Sequence, residues 1–156
     1  MPLNSVKTLY DELKFTVPAE ACTEPQVQAL EKQLGVALPP GYREFLLWMG
    51  QSPSGILLGS SWLPDDLPDL KPALIKFMTA NNFPEKLPDD AFVFWENQGY
   101  VYTFLRLSQG DASPVYRYHG TLETTTFTAI NPSYESWLAQ QIQEHVERMK
   151  SFGKPW

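Results

Sequence analysis

Cysteine is all but missing from this chain, with Cys22 alone among 156 residues. That excludes an internal disulfide framework and suits a reducing compartment, so a cytoplasmic protein is expected. Histidine is nearly as scarce: His119 falls at a strand end and His145 in the last helix, both expected as ordinary surface or edge residues. No Cys-x-x-Cys or His-Glu-x-x-His spacing joins them, so neither metal nor cofactor is expected. The glycine- and serine-bearing stretches at 50 to 55 and 110 to 113 match neither a phosphate-binding loop nor a Gly-x-Ser-x-Gly elbow and read as turns. Adjacent carboxylates at Asp11-Glu12, Asp65-Asp66 and Asp89-Asp90 point to opposite sides of an extended chain, which does not make a shared-proton site. No catalytic residue is assigned, and an enzyme is not expected. Positive charge is short as well, 12 basic residues against 18 acidic for a net charge of -6. This balance opposes direct nucleic-acid binding; it suits a basic protein partner or serves solubility alone. No apolar run approaches the length of a bilayer span, and residues 1 to 5 lack the blocks of a signal peptide, so no membrane role is expected.

What the chain has in plenty is apolar and aromatic surface, 43% and 13% of its residues, enough for one domain with a real core. The organising stretch runs from residue 34 to residue 46. Gly35 can close one helix, Pro39 and Pro40 forbid its continuation, and a second helix carrying Tyr42, Phe45, Leu46 and Met49 follows as far as Gly50. Upstream, Thr23 with Gln26 as its reciprocal partner, Pro25 in the first turn, and Val27, Leu30 and Leu34 at helical spacing predict the preceding helix. Residues 4 to 15 predict a further short helix with Val6, Leu9, Tyr10 and Leu13 as its stripe.

Beyond the corner, residues 56 to 58 read as a buried strand, and Asp65 or Asp66 as the cap of a helix bearing Leu70, Leu74, Phe77 and Met78, with Pro72 in its first turn. Residues 91 to 95 are apolar on both alternating faces, as in a central strand covered on both sides. A hairpin at 97 to 99 returns the chain through 100 to 107, and 115 to 119 and 124 to 130 add two more strands. Asn131 and Ser133 offer caps for a closing helix that buries Tyr134, Leu138, Ile142, Val146 and Met149, after which 151 to 156 read as a loose tail. The expected fold is α+β: a single domain, its N-terminal helices packed on a mainly antiparallel sheet of about five strands and closed by a C-terminal helix.

Leu34-Gly35, Leu38-Pro39, Tyr42, Phe45-Leu46 and Gly50, followed by Pro114-Val115-Tyr116 and a closing helix with Tyr134, Trp137 and Leu138, make the chain resemble the SUKH superfamily. That superfamily includes Smi/Knr-type cell-wall-assembly regulators and bacterial immunity proteins. The resemblance implies an N-terminal helical extension over 1 to 19, a SUKH-like domain over 20 to 150 and a tail over 151 to 156. It implies a non-catalytic protein-binding module, in the first place an immunity-type protein that neutralises a toxin domain, often a nuclease. The short flanks suit that format better than that of the fungal regulators. An intracellular regulator or scaffold of the Smi/Knr type is one alternative, and a small-molecule-binding domain is another. Leu34, Gly35, Leu38, Pro39, Tyr42 and Phe45 match the superfamily motif and are read as corner-forming residues, not as a binding site.

Under the immunity reading the candidate partner-binding residues are the acidic loops at Asp65, Asp66 and Asp69 and at Asp89, Asp90 and Glu96, with Trp62 and Trp95 as aromatic anchors. The strip Tyr100, Tyr102, Phe104, Tyr116 and Tyr118 is read as core and cross-strand packing. With only Arg106 and Arg117 beside it, it is a poor platform for stacked bases.

Overall fold

The computed structural model describes residues 1–121 and 123–156. The helices α1 (Asn4–Glu12), α2 (Glu24–Leu34) and α3 (Pro40–Met49) come first, with a two-residue strand β1 (Ala19–Glu20) between α1 and α2. Strands β2 (Ser52–Pro53) and β3 (Ser60–Ser61), helix α4 (Leu67–Ala80), strands β4 (Ala91–Asn97) and β5 (Val101–Arg106), and a 3-10 segment over Leu107–Ala112 follow. Strands β6 (Val115–His119) and β7 (Thr128–Asn131) and helix α5 (Tyr134–Ser151) complete the chain. β1 pairs with β2, and β3 to β7 form a five-stranded antiparallel sheet in sequence order. The fold is the expected single α+β domain closed by its last helix.

The helical corner is built by the residues that predict it. Thr23 and Gln26 form a reciprocal capping box at the start of α2, and Gly35 ends the helix at φ +68°, a conformation that glycine adopts without Cβ strain. Glu31 then bridges the corner: one carboxylate oxygen accepts from the Leu38 N–H at 2.9 Å and the other from Arg43 Nε at 3.0 Å. Since Pro39 and Pro40 carry no N–H, the first free donor of α3 is that of Gly41. It is met from across the molecule by Asp111 Oδ1 at 2.8 Å. Glu44, only 6% exposed, docks α1 by accepting from the Leu3 N–H at 3.1 Å and Lys7 Nζ at 2.7 Å.

Gly50 ends α3 as expected, but at φ -68°, so no left-handed turn requires glycine there. Space does: a Cβ would lie 2.7 Å from Cys22 Sγ and 2.6 Å from the Leu46 carbonyl oxygen. Gly50→Ala is therefore expected to destabilise the domain by ~1–3 kcal/mol through overpacking, read as a lower denaturation midpoint in urea.

The sheet is covered on both faces. Phe92 and Phe94 pack against Tyr42 and Tyr134, and Phe94 and Trp95 both meet Trp137 of α5, because the register shifts between Val93 and Trp95. Such a bulge turns two successive side chains toward one face. On the other face, Tyr102 and Tyr118 pack against Phe77 of α4.

Five local expectations are corrected. Residues 56 to 58 form turns instead of a strand, because Gly55, Leu57 and Gly59 all take positive φ and curl the chain; the sheet edge falls to Ser60–Ser61. Pro72 lies inside α4, past its first turn, since the helix already starts at Leu67. The last strand begins at Thr128, not 124. His145 is buried at 5% exposure, stacked parallel to Phe15 across 6.0 Å. Residues 151 to 156 are docked and not loose: the Trp156 indole N–H donates to the Leu13 carbonyl at 2.8 Å, and the Thr16 N–H donates to the Trp156 main-chain oxygen at 2.6 Å.

Candidate protein-binding surface

The loop leading into α4 is pinned by Trp62, whose ring meets Phe45 edge-on at 5.9 Å and is 6% exposed. The expectation of an exposed Trp62 anchor is corrected: the indole is spent on the core, and its effect is to hold the acidic loop against α3. Asp66 is fixed next, its Oδ2 accepting the Leu63 N–H at 3.2 Å. Asp69 stands exposed in the first turn of α4, where the helix dipole favours a carboxylate. Glu96 projects from β4 opposite Tyr102, with one oxygen accepting the Gly99 N–H.

These three carboxylates line one shallow concavity of about 170 Å³, together with Ser61, Leu70 and Tyr102. Among the described residues none of the three makes an ion pair within 4 Å. Among those residues there is also no grouping of three His, Cys, Asp or Glu side chains able to hold a metal ion. The arrangement is a negative surface that suits a cationic group brought from outside.

The other candidates lie elsewhere. Asp65 borders a different groove, beside Cys22, Gln26 and Leu63. Asp89 is exposed next to Lys86 at 3.4 Å, and its carbonyl accepts from Lys71 Nζ at 2.6 Å, so local cations offset it. Asp90 is committed to the fold: it accepts from Arg106 Nε at 2.6 Å and from the Ser108 N–H at 3.1 Å, and it also takes the Ser108 hydroxyl. Trp95 points to the opposite face of the sheet, toward α5. Tyr102 and Ser61, by contrast, belong to the concavity although no acidic pattern singles them out.

The Ser108 hydroxyl, ahead of Arg106, holds the Asp90 carboxyl down at about 2 against the opposing push of desolvation. A depressed carboxylate contributes stability above its unfolded value, near 3.8, and loses it as pH falls toward 2. Asp90→Ala is expected to lower stability by ~1–2 kcal/mol at pH 7, with the gap to the unaltered protein closing between about pH 4 and pH 2 in urea titrations.

The sequence matches the SMI1/KNR4 family, SUKH-1, over residues 21–140. The chain belongs to the SUKH-1 family. No curated protein matches it in sequence. SUKH-1 membership supports a protein-binding role of the immunity or Smi/Knr regulatory kind, in a family that is generally non-catalytic. The matched span of this SUKH-1 domain runs from Ala21 before α2 through the sheet into α5, and so includes both the corner and the acidic concavity. Among the described residues no helix is long and apolar enough to cross a membrane.

Proposed function

We propose that this SUKH-1 domain is an immunity-type protein that acts in the cytoplasm by binding a basic surface of a toxin domain, such as a nuclease, and blocking it. The observation that carries this reading is the convergence of Asp66, Asp69 and Glu96, from a helix start and a strand, on one concavity without a cation of their own. Like charges held together are unfavourable until a cation joins them, and the net charge of -6 speeds the encounter with a basic partner. Asp65 and Asp89, which border other grooves, lie outside the proposed contact.

The test is a pull-down from native lysate at low and high salt, with the captured protein identified and its stoichiometry measured. One stoichiometric, salt-sensitive partner whose toxic activity is lost in the complex is the expected result. Several weak housekeeping partners would instead support the intracellular regulator or scaffold role.

A further inference from the structure

On the face of the sheet turned away from the acidic concavity, a cavity of about 460 Å³ opens between the strands and α5. Its floor is a row across three neighbouring strands, since Trp95 pairs with Thr103 and Thr103 with Arg117. Its wall is one side of α5, where His145 and Arg148 stand three residues apart and therefore on the same helical face. Elsewhere the contact between α5 and the core is apolar, through Leu138 and Ile142, so this polarity is local.

Four buried side-chain polar atoms lack a hydrogen-bond partner among the described residues. Three of them, Trp95 Nε1, Thr103 Oγ1 and His145 Nδ1, belong to residues lining this cavity. Thr103 is 1% exposed and His145 5%. An unpaired buried polar group is unfavourable, so three of them beside one cavity mark a polar niche in an otherwise apolar sheet–helix layer.

The charges indicate which ligand. Arg117 and Arg148 make no ion pair within 4 Å among the described residues, and the Trp95 indole can only donate. The one carboxylate in the lining, Glu144, already accepts from Gln140 Nε2 at 2.7 Å. Burial, with Arg148 acting in the same direction, pushes the His145 imidazole below its ordinary value, which leaves it neutral at pH 7 and able to accept at one nitrogen. The volume lies in the range of small-metabolite sites.

We infer that this cavity binds a small organic anion, with Arg117 and Arg148 holding its carboxylate or phosphate group over the floor formed by Trp95 and Thr103. The site is separate from the protein-binding concavity. Neighbouring β4 residues serve the two, Trp95 facing the cavity and Glu96 the concavity.

Three probes, inorganic phosphate, succinate and 3-phosphoglycerate, are each titrated to about 20 mM, enough to detect millimolar affinity. The readout is the Trp95 indole N–H resonance, assigned with Trp95→Phe, and sodium chloride at matched ionic strength is the control. A saturable shift with at least one probe is expected, and its identity separates the phosphate form of the ligand from the carboxylate form. Arg117→Gln combined with Arg148→Gln, both surface-reaching changes, should weaken binding at least tenfold while the thermal midpoint is retained. The inference is overturned if no probe shifts the resonance beyond the salt control, or if the double variant binds as the unaltered protein does.

Discussion

Asp66→Lys, Asp69→Lys and Glu96→Lys in combination are expected to weaken capture of a basic partner by about thirty- to a thousandfold, the equivalent of ~2–4 kcal/mol over three reversed charges. Most of the loss should fall on the association rate, because the carboxylates border a shallow, solvated concavity and act by attraction at a distance. The slope of association rate against ionic strength should flatten or change sign. Two controls separate charge from structure. Asp66→Asn keeps the acceptor for the Leu63 N–H and removes only the charge, so it should weaken binding without lowering the melting temperature. Asp89→Lys, placed where Lys86 and Lys71 already offset the carboxylate, should have the smallest effect of the series. Unchanged affinity and unchanged salt dependence in the triple variant would remove the acidic concavity from the proposed interface.

Tyr42 should give opposite results for two truncations. Its ring, 1% exposed, touches Phe45, Phe92, Phe94 and Tyr134, so it joins α3 to the sheet and to α5. Tyr42→Ala removes that junction and is expected to cost ~3–5 kcal/mol, enough to unfold a domain of ordinary stability. The hydroxyl, however, is buried without a hydrogen-bond partner, and burial pushes its ionisation far above the usual tyrosine range. Tyr42→Phe deletes the unsatisfied group and keeps the ring. It is expected to be neutral or to stabilise by ~1 kcal/mol in urea denaturation. A loss of more than that from Tyr42→Phe would mean that the hydroxyl has a partner in solution.

The contrast between α2 and the stretch at 56 to 58 shows which structure could be read from sequence. For α2 every local signal agrees: the cap at Thr23, Pro25 at the start, the Val27 and Leu30 stripe and the stop at Gly35 each act within one or two turns. Ile56-Leu57-Leu58 has the hydrophobicity of a strand, yet Leu57 takes φ +66° and Leu58 is 81% exposed. Flanking glycines and tertiary contacts decide that segment, and a three-residue pattern contains neither. The same holds for His145, whose burial depends on Phe15 arriving from the far end of the chain.

The acidic surface was legible as composition and not as geometry. Asp65, Asp66, Asp69, Asp89, Asp90 and Glu96 look alike as letters, but Asp90 is captured by Arg106 and Ser108, and only Asp66, Asp69 and Glu96 meet. Trp62 misleads because aromatic side chains serve cores and interfaces equally well. The Trp95, Thr103 and Arg117 row was invisible, since cross-strand register is not written in any one strand.

The bond from the Gly41 N–H to Asp111 has a consequence for how the chain matures. It links positions 70 apart, so the first donor of α3 has no protein acceptor until the segment after β5 has been made and folded. A helix of ten residues is too short to persist by itself in water. The helical corner, made before the sheet, is therefore expected to stay provisional until the 3-10 segment after β5 delivers its acceptor.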